Sequence, residues 1–154
     1  MDFINITSLV LALGSVVFSV FTYISSIIHD RKQATLDAYN ILQNQVFDKL
    51  NTYKSNEIKS IADNCHSKEY KEISALMARI EHFSVGVNTK IYDKKTVKRL
   101  AGRYIIGIYE KLEPIIIKKR ERFKTDKHYD DFEKLYLELK KLYSKQSRKK
   151  QSFI

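Results

Sequence analysis

The chain has 154 residues and a formal net charge of +10, from 28 Lys and Arg against 18 Asp and Glu. A single cysteine, Cys65, excludes an internal disulfide and agrees with a reducing compartment. Four glycines, one proline and apolar stripes of period 3.6 throughout exclude a strand-rich fold and point to an all-α chain.

No charged side chain occurs from Phe3 to Ile28. The strongest part, Ile6 to Ile28, is about 35 Å long as a helix at roughly 1.5 Å per residue, against a hydrocarbon core of about 30 Å. Its hydroxyls (Thr7, Ser8, Ser15, Ser19, Thr22, Ser25, Ser26) can return to backbone carbonyls, which makes them tolerable in lipid. A cleaved secretory signal needs a basic start, a shorter apolar run and a small-residue cleavage site, and none is present. The reading is a single transmembrane helix. Arg31 and Lys32 follow it and no basic residue precedes it, so the N-terminus is expected outside and the rest of the chain cytoplasmic, at an inner or plasma membrane. Residues 1–28 form the tail and span, 29–143 a cytoplasmic helical domain with room for one core, and 144–154 a basic flexible tail.

Within the domain a first helix is expected from about Asp30 to Tyr53, continuous with the span, with Leu36, Tyr39, Leu42, Val46, Leu50 and Tyr53 on one face. Asn56 to Asn64 reads as a loop with a short turn. A second helix runs from Ser67, its N-cap, to Val87, with Tyr70, Ile73, Met77, Ile80 and Val87 inward and Gly86 and Asn88 as stop signals. Asp93 caps the third, which carries Val97, Leu100, Ala101, Tyr104, Ile105, Ile108 and Leu112. Pro114 should kink or restart that helix, and Gly102 and Gly107 suggest close approach of a neighbour. A fourth helix covers Tyr129 to Tyr143, with Phe132, Leu135, Tyr136, Leu139, Leu142 and Tyr143 inward. Short connections favour an up-and-down bundle of about four helices.

Catalytic signals are missing. There is no phosphate loop, dinucleotide turn or nucleophile elbow, so no enzymatic activity and no cofactor is expected. Cys65-His66 lacks the further ligands that a zinc site needs. Glu81-His82 reads as structural, with Glu81 paired to Arg103 or Arg120 between helices.

Charge is uneven along the chain. Residues 29–89 are neutral overall, whereas residues 90–154 hold 20 Lys and Arg against nine Asp and Glu. That asymmetry calls for an anionic partner. Lys94, Lys95, Lys98, Arg99 and Arg103 share a helix face, and Lys145, Arg148, Lys149 and Lys150 close the chain. In an up-and-down bundle both groups return toward the membrane, where each basic residue near an anionic leaflet contributes about 1 kcal/mol.

The run Ala78 to Asn88 (ARIEHFSVGVN), then Ile91-Tyr92-Asp93, Val97, Leu100, Gly102, Tyr109 to Ile116 (YEKLEPII), Arg120, Tyr129 and Phe132-Glu133, resembles a bacterial family known as domain of unknown function 4760. The likeness extends over roughly Ala78 to Leu139. It implies a small helical protein with an N-terminal membrane segment, and implies no activity. It also suggests that Glu81, Tyr109, Pro114 and Arg120 act together as a polar cluster. The resulting expectation is a binding, adaptor or regulatory module at the cytoplasmic membrane surface, in contact with lipid headgroups and a protein partner. Two alternatives stand beside it. One is a tethered nucleic-acid binder using Tyr92, Tyr104, Phe123 and Tyr129. The other is an oligomerising membrane effector using Ala12, Gly14, Ser15 and Ser19.

Overall fold

The structure is a computed structural model that describes the backbone of residues 2–151 and the side chains of residues 8–144. All its regular elements are helices: α1 (Asp2–Leu42), a π-helical turn (Gln43–Phe47), α2 (Asp48–Thr52), α3 (Ser55–Asp63), α4 (Lys68–Asn88), α5 (Lys94–Phe123) and α6 (Asp130–Gln151). The first three form one continuous rod. Every described side chain from Ser8 to Ala34 is exposed, and Thr35 is the first buried one. The rod therefore has an apolar shaft whose described side chains are all exposed and a far half that enters the core.

Three hydroxyls on the shaft are satisfied locally. Ser15 donates to the Ala12 carbonyl at 2.8 Å, Ser19 to that of Ser15 at 2.8 Å and Thr22 to that of Phe18 at 2.9 Å. Such bonds lower the cost of a hydroxyl in an apolar medium.

Leu42, Val46 and Leu50 are buried as the stripe requires, but so is Phe47, at 0% exposure. The π turn explains this, because its extra residue per turn lets successive positions face inward. Phe47 then meets the Tyr104 ring at 4.7 Å between centroids. Leu36 lies outside the core, 37% exposed.

Residues 55–63 are not a loop. Glu57 reaches back to accept from the Lys54 N–H at 2.8 Å, and Ile58 and Ala62 are buried where α3 lies on α5. Two turns are too short to be stable alone, so tertiary packing supplies what local pattern lacks.

The α4 stripe is buried as expected, with Leu76, Phe83 and Ser84 added to it, and the Ser67 hydroxyl caps the helix through Tyr70 N at 3.0 Å. Gly86 does not terminate α4. It lies inside the helix, and glycine is needed there because the Tyr92 ring occupies the space a Cβ would take. The positive φ at the exit falls on Lys90 instead, at 65°.

Helix α5 runs unbroken through Pro114, with Leu112, Ile115 and Ile116 all buried around it, so no restart occurs. Gly102 faces Tyr143 closely, whereas nothing lies within 4 Å of a Cβ on Gly107. The inference of close approach holds for the first glycine only. Helix α6 continues to Gln151 rather than ending at Tyr143. Phe132, Leu135 and Leu139 are buried along it, while Leu142 is 37% exposed. Fully burying a side chain such as Phe132 contributes roughly 1.5–3 kcal/mol over leaving it exposed.

Contacts give the directions. The Arg79 guanidinium meets Gln45, and the Tyr53 hydroxyl donates to Glu72 at 3.3 Å, so α4 runs back along the rod. Tyr104 donates to Asn51 at 2.7 Å and Lys111 to the Leu50 carbonyl at 2.7 Å, which sets α5 alongside the rod's inner half. Helix α6 packs on α4 and α5, antiparallel to α5: Glu133 meets Arg120 near its start and Tyr143 meets Lys98 farther along. The result is an up-and-down bundle.

Candidate functional site

The end of the bundle from which the apolar shaft emerges gathers most of the predicted site residues. Thr35, 0% exposed, sits seven residues beyond Ile28. Its hydroxyl donates to the Arg31 carbonyl at 2.7 Å and accepts from the Asp93 N–H at 2.7 Å. Asp93 in turn caps α5, its carboxylate accepting from Thr96 N at 2.8 Å and from the Thr96 hydroxyl at 2.7 Å. Those hydrogen bonds hold the Asp93 carboxyl below its usual pKa, with Lys32 and Lys95 adding to the effect. The α4–α5 turn is thereby fastened to the base of the shaft. The sequence does not reveal this joint, because a threonine within a helix usually bonds only to its own backbone.

The five basic residues expected to share one face at the start of α5 divide. Lys94 pairs with Glu138 on α6. Lys98 and Arg103 lie over the Tyr143 ring, at 5.4 Å and 5.7 Å from its centroid. Lys95, Arg99 and Arg103 are exposed. Lys145, Arg148, Lys149 and Lys150 lie on the last turns of α6, and their side chains fall outside the described residues, as do those of Ile6 and Thr7 in the span.

The polar cluster expected around Glu81, Tyr109, Arg103 and Arg120 does not assemble as one unit. Glu81 has no arginine. Its carboxylate accepts from Asp131 N at 3.1 Å and Phe132 N at 2.8 Å, satisfying orphan amides at the start of α6. Burial raises its pKa, and the two amide bonds oppose that rise. A helix N-terminus substitutes for the cation because it carries partial positive charge and unpaired donors.

Arg120 instead donates to the His128 carbonyl at 3.0 Å and to Glu133 at 2.7 Å. Tyr109 joins this pair: its ring stacks on Tyr136 at 4.1 Å, and burial, then the Glu133 charge, push its hydroxyl well above the usual tyrosine range. Arg103 belongs to the opposite end of α5. Lys119 donates to the buried Tyr129 hydroxyl at 2.7 Å, a link with no trace in the sequence pattern.

Chemically these groups close helix ends and bridge helices. Cys65 is half-buried against the core, and among the described residues no three His, Cys, Asp or Glu stand together as metal ligands. An apolar groove between α1 and α4 is floored by Leu42, Val46 and Phe83 and rimmed by Gln45, Arg79 and His82. Of the aromatics proposed for stacking on bases, Tyr92 is stacked on Phe83 at 5.3 Å, Tyr104 is bonded to Asn51 and Tyr129 is buried. Only Phe123 is exposed among those four, at 54%.

Among the described residues one helix near the N-terminus, within Ser8–Thr52, is long and apolar enough to cross a membrane. No curated protein and no solved structure matches the chain. A family model described as Domain of unknown function (DUF4760) matches residues 9–139, taking in both the apolar shaft and the bundle, and the chain belongs to that family.

Proposed function

We propose that this is a single-pass membrane protein whose helical bundle is held at the cytoplasmic face and acts by binding, as an adaptor or regulatory module. One observation carries the reading. The apolar stretch from Ser8 to Ile28 buries none of its side chains in the bundle, with Leu9, Leu11, Val17, Phe18 and Phe21 all at least 61% exposed. The core helix of a water-soluble protein buries its apolar face; a shaft apolar all round suits lipid. Arg31 and Lys32 directly after it favour a cytoplasmic bundle.

The test uses the full chain carrying Cys65→Ser and Lys127→Cys, expressed in cells and treated with a membrane-impermeant maleimide. The expected outcome is labelling only after permeabilisation, with the mass of the uncleaved chain in the membrane fraction. Labelling in intact cells reverses the orientation. A shortened, released product means that the apolar helix is a signal sequence and ends the reading.

A further inference from the structure

The α4–α5 turn carries an exposed apolar residue between lysines, and its conformation is fixed from both sides. Ile91 is 62% exposed. Lys90 precedes it in the left-handed region, and Lys94 and Lys95 follow within a turn of helix. Tyr92 is drawn inward, its ring lying where a Gly86 Cβ would be and stacked on Phe83, while its N–H donates to the Gly86 carbonyl at 2.9 Å. Asp93 is fastened to Thr35 at 2.7 Å. With Tyr92 and Asp93 pinned, Ile91 is left pointing out of a rigid turn. An isolated exposed isoleucine is ordinary. This one projects from the end of the bundle at which the apolar shaft leaves.

Distance makes the setting specific. Seven residues from Ile28 to Thr35 rise about 10 Å along a helix. The headgroup layer on each side of a bilayer is roughly 5–8 Å thick. Ile91 is two residues from the atom bonded to Thr35, so it spans at most about 7 Å more. The turn is the apex of the α4–α5 hairpin on the shaft side, and that reach is long enough to bring Ile91 to the headgroup zone of a bilayer spanned by the shaft.

We infer that the Lys90–Lys95 turn is a second membrane contact, in which Ile91 enters the interface of the anionic leaflet and Lys90 and Lys95 meet lipid phosphates. The inference rests on the membrane-spanning reading above. Lys94 is held by Glu138 and contributes less. An apolar residue flanked by lysines suits an interface, where the side chain joins the acyl boundary and the ammonium groups stay with the headgroups. The contact fixes which faces of the bundle are turned away from the bilayer.

The full chain, reconstituted in vesicles with Cys65→Ser, takes an environment-sensitive fluorophore at Ile91→Cys, at Lys127→Cys on the opposite loop, or at Phe18→Cys in the shaft. The vesicles contain lipid brominated near the headgroup for positions 91 and 127, or midway along the acyl chains for position 18, with or without phosphatidylglycerol. Expected is strong quenching at position 91 in anionic vesicles, little at 127, and about a fivefold fall in the quenched population for each of Lys90→Gln and Lys95→Gln. Quenching at 18 but not at 91 overturns the second contact and leaves the anchor standing. Absence of quenching at both removes the anchor reading and the inference with it. Equal quenching at 91 in neutral vesicles overturns the role given to the lysines. A response at 91 to added oligonucleotide, without lipid quenching, assigns the turn to nucleic acid and overturns the proposal.

Discussion

Replacing Thr35 by valine removes one hydroxyl while keeping the side chain's shape, and the joint between shaft and bundle depends on that hydroxyl. The Asp93 N–H, which Thr35 accepts at 2.7 Å, would lose its partner in a partly buried setting. A buried donor left unsatisfied costs about 1–3 kcal/mol. Threonine and valine have similar helix propensity, so the helix itself is barely altered. Thr35→Ser is the matched control, retaining the hydroxyl and losing one buried methyl, about 0.8 kcal/mol. Urea unfolding of the full chain in detergent, followed by circular dichroism, gives the stabilities. Hydrogen exchange at the Asp93 amide separates the two causes: the valine variant should lose protection there and the serine variant should keep it. A valine variant within about 0.5 kcal/mol of wild type, with the Asp93 amide still protected, would refute the joint.

Gly102→Ala and Gly107→Ala should move stability in opposite directions. At 102 the new Cβ would lie 2.6 Å from the Tyr143 hydroxyl and displace its bond to the Lys98 carbonyl, costing about 1–3 kcal/mol against about 1 kcal/mol of helix propensity gained. At 107 only the gain applies, and equal shifts in the urea midpoint would contradict the packing. The Tyr129 hydroxyl is pushed up to about 12 by burial from an ordinary 10, so it stabilises the fold below pH 10, and this contribution is lost as pH rises through 12. Tyr129→Phe should therefore flatten the alkaline limb of a stability profile, and the difference from wild type isolates this one group. Arg120→Ala removes two charge-assisted bonds, to His128 and Glu133; we expect a loss of about 1.5–3 kcal/mol by urea unfolding. Arg120→Lys should fall between, since a lysine cannot hold both partners in the same fork.

The helical class, the caps at Ser67 and Asp93 and most of the α4 and α5 stripes are legible in the sequence, because each rests on local pattern. Three features are not. Phe47 is buried through a π turn, which shifts register in a way that a 3.6 period cannot encode. Residues 55–63 are helical through Ile58 and Ala62 meeting α5, a tertiary effect on a locally weak segment. Glu81 is satisfied by backbone amides at the start of α6, a partner with no residue-type signature. In the Lys90–Lys95 turn the Asp93 cap and the basic residues are legible, but the exposed tip is not. That apolar tip at Ile91 gains meaning from the Thr35 bond, which joins positions 58 residues apart.

No loop separates the shaft from the core, and this has a mechanical consequence. A helix 41 residues long that passes directly into the π turn and α2 leaves no swivel between the apolar shaft and the bundle. If the helix spans as proposed, its tilt is also the bundle's tilt. A change in bilayer thickness, which such helices accommodate by leaning, would swing the whole bundle like the head of a lever. The protein would then present its outer faces at an angle set by the surrounding lipid, and a partner reading those faces would be reading the membrane too.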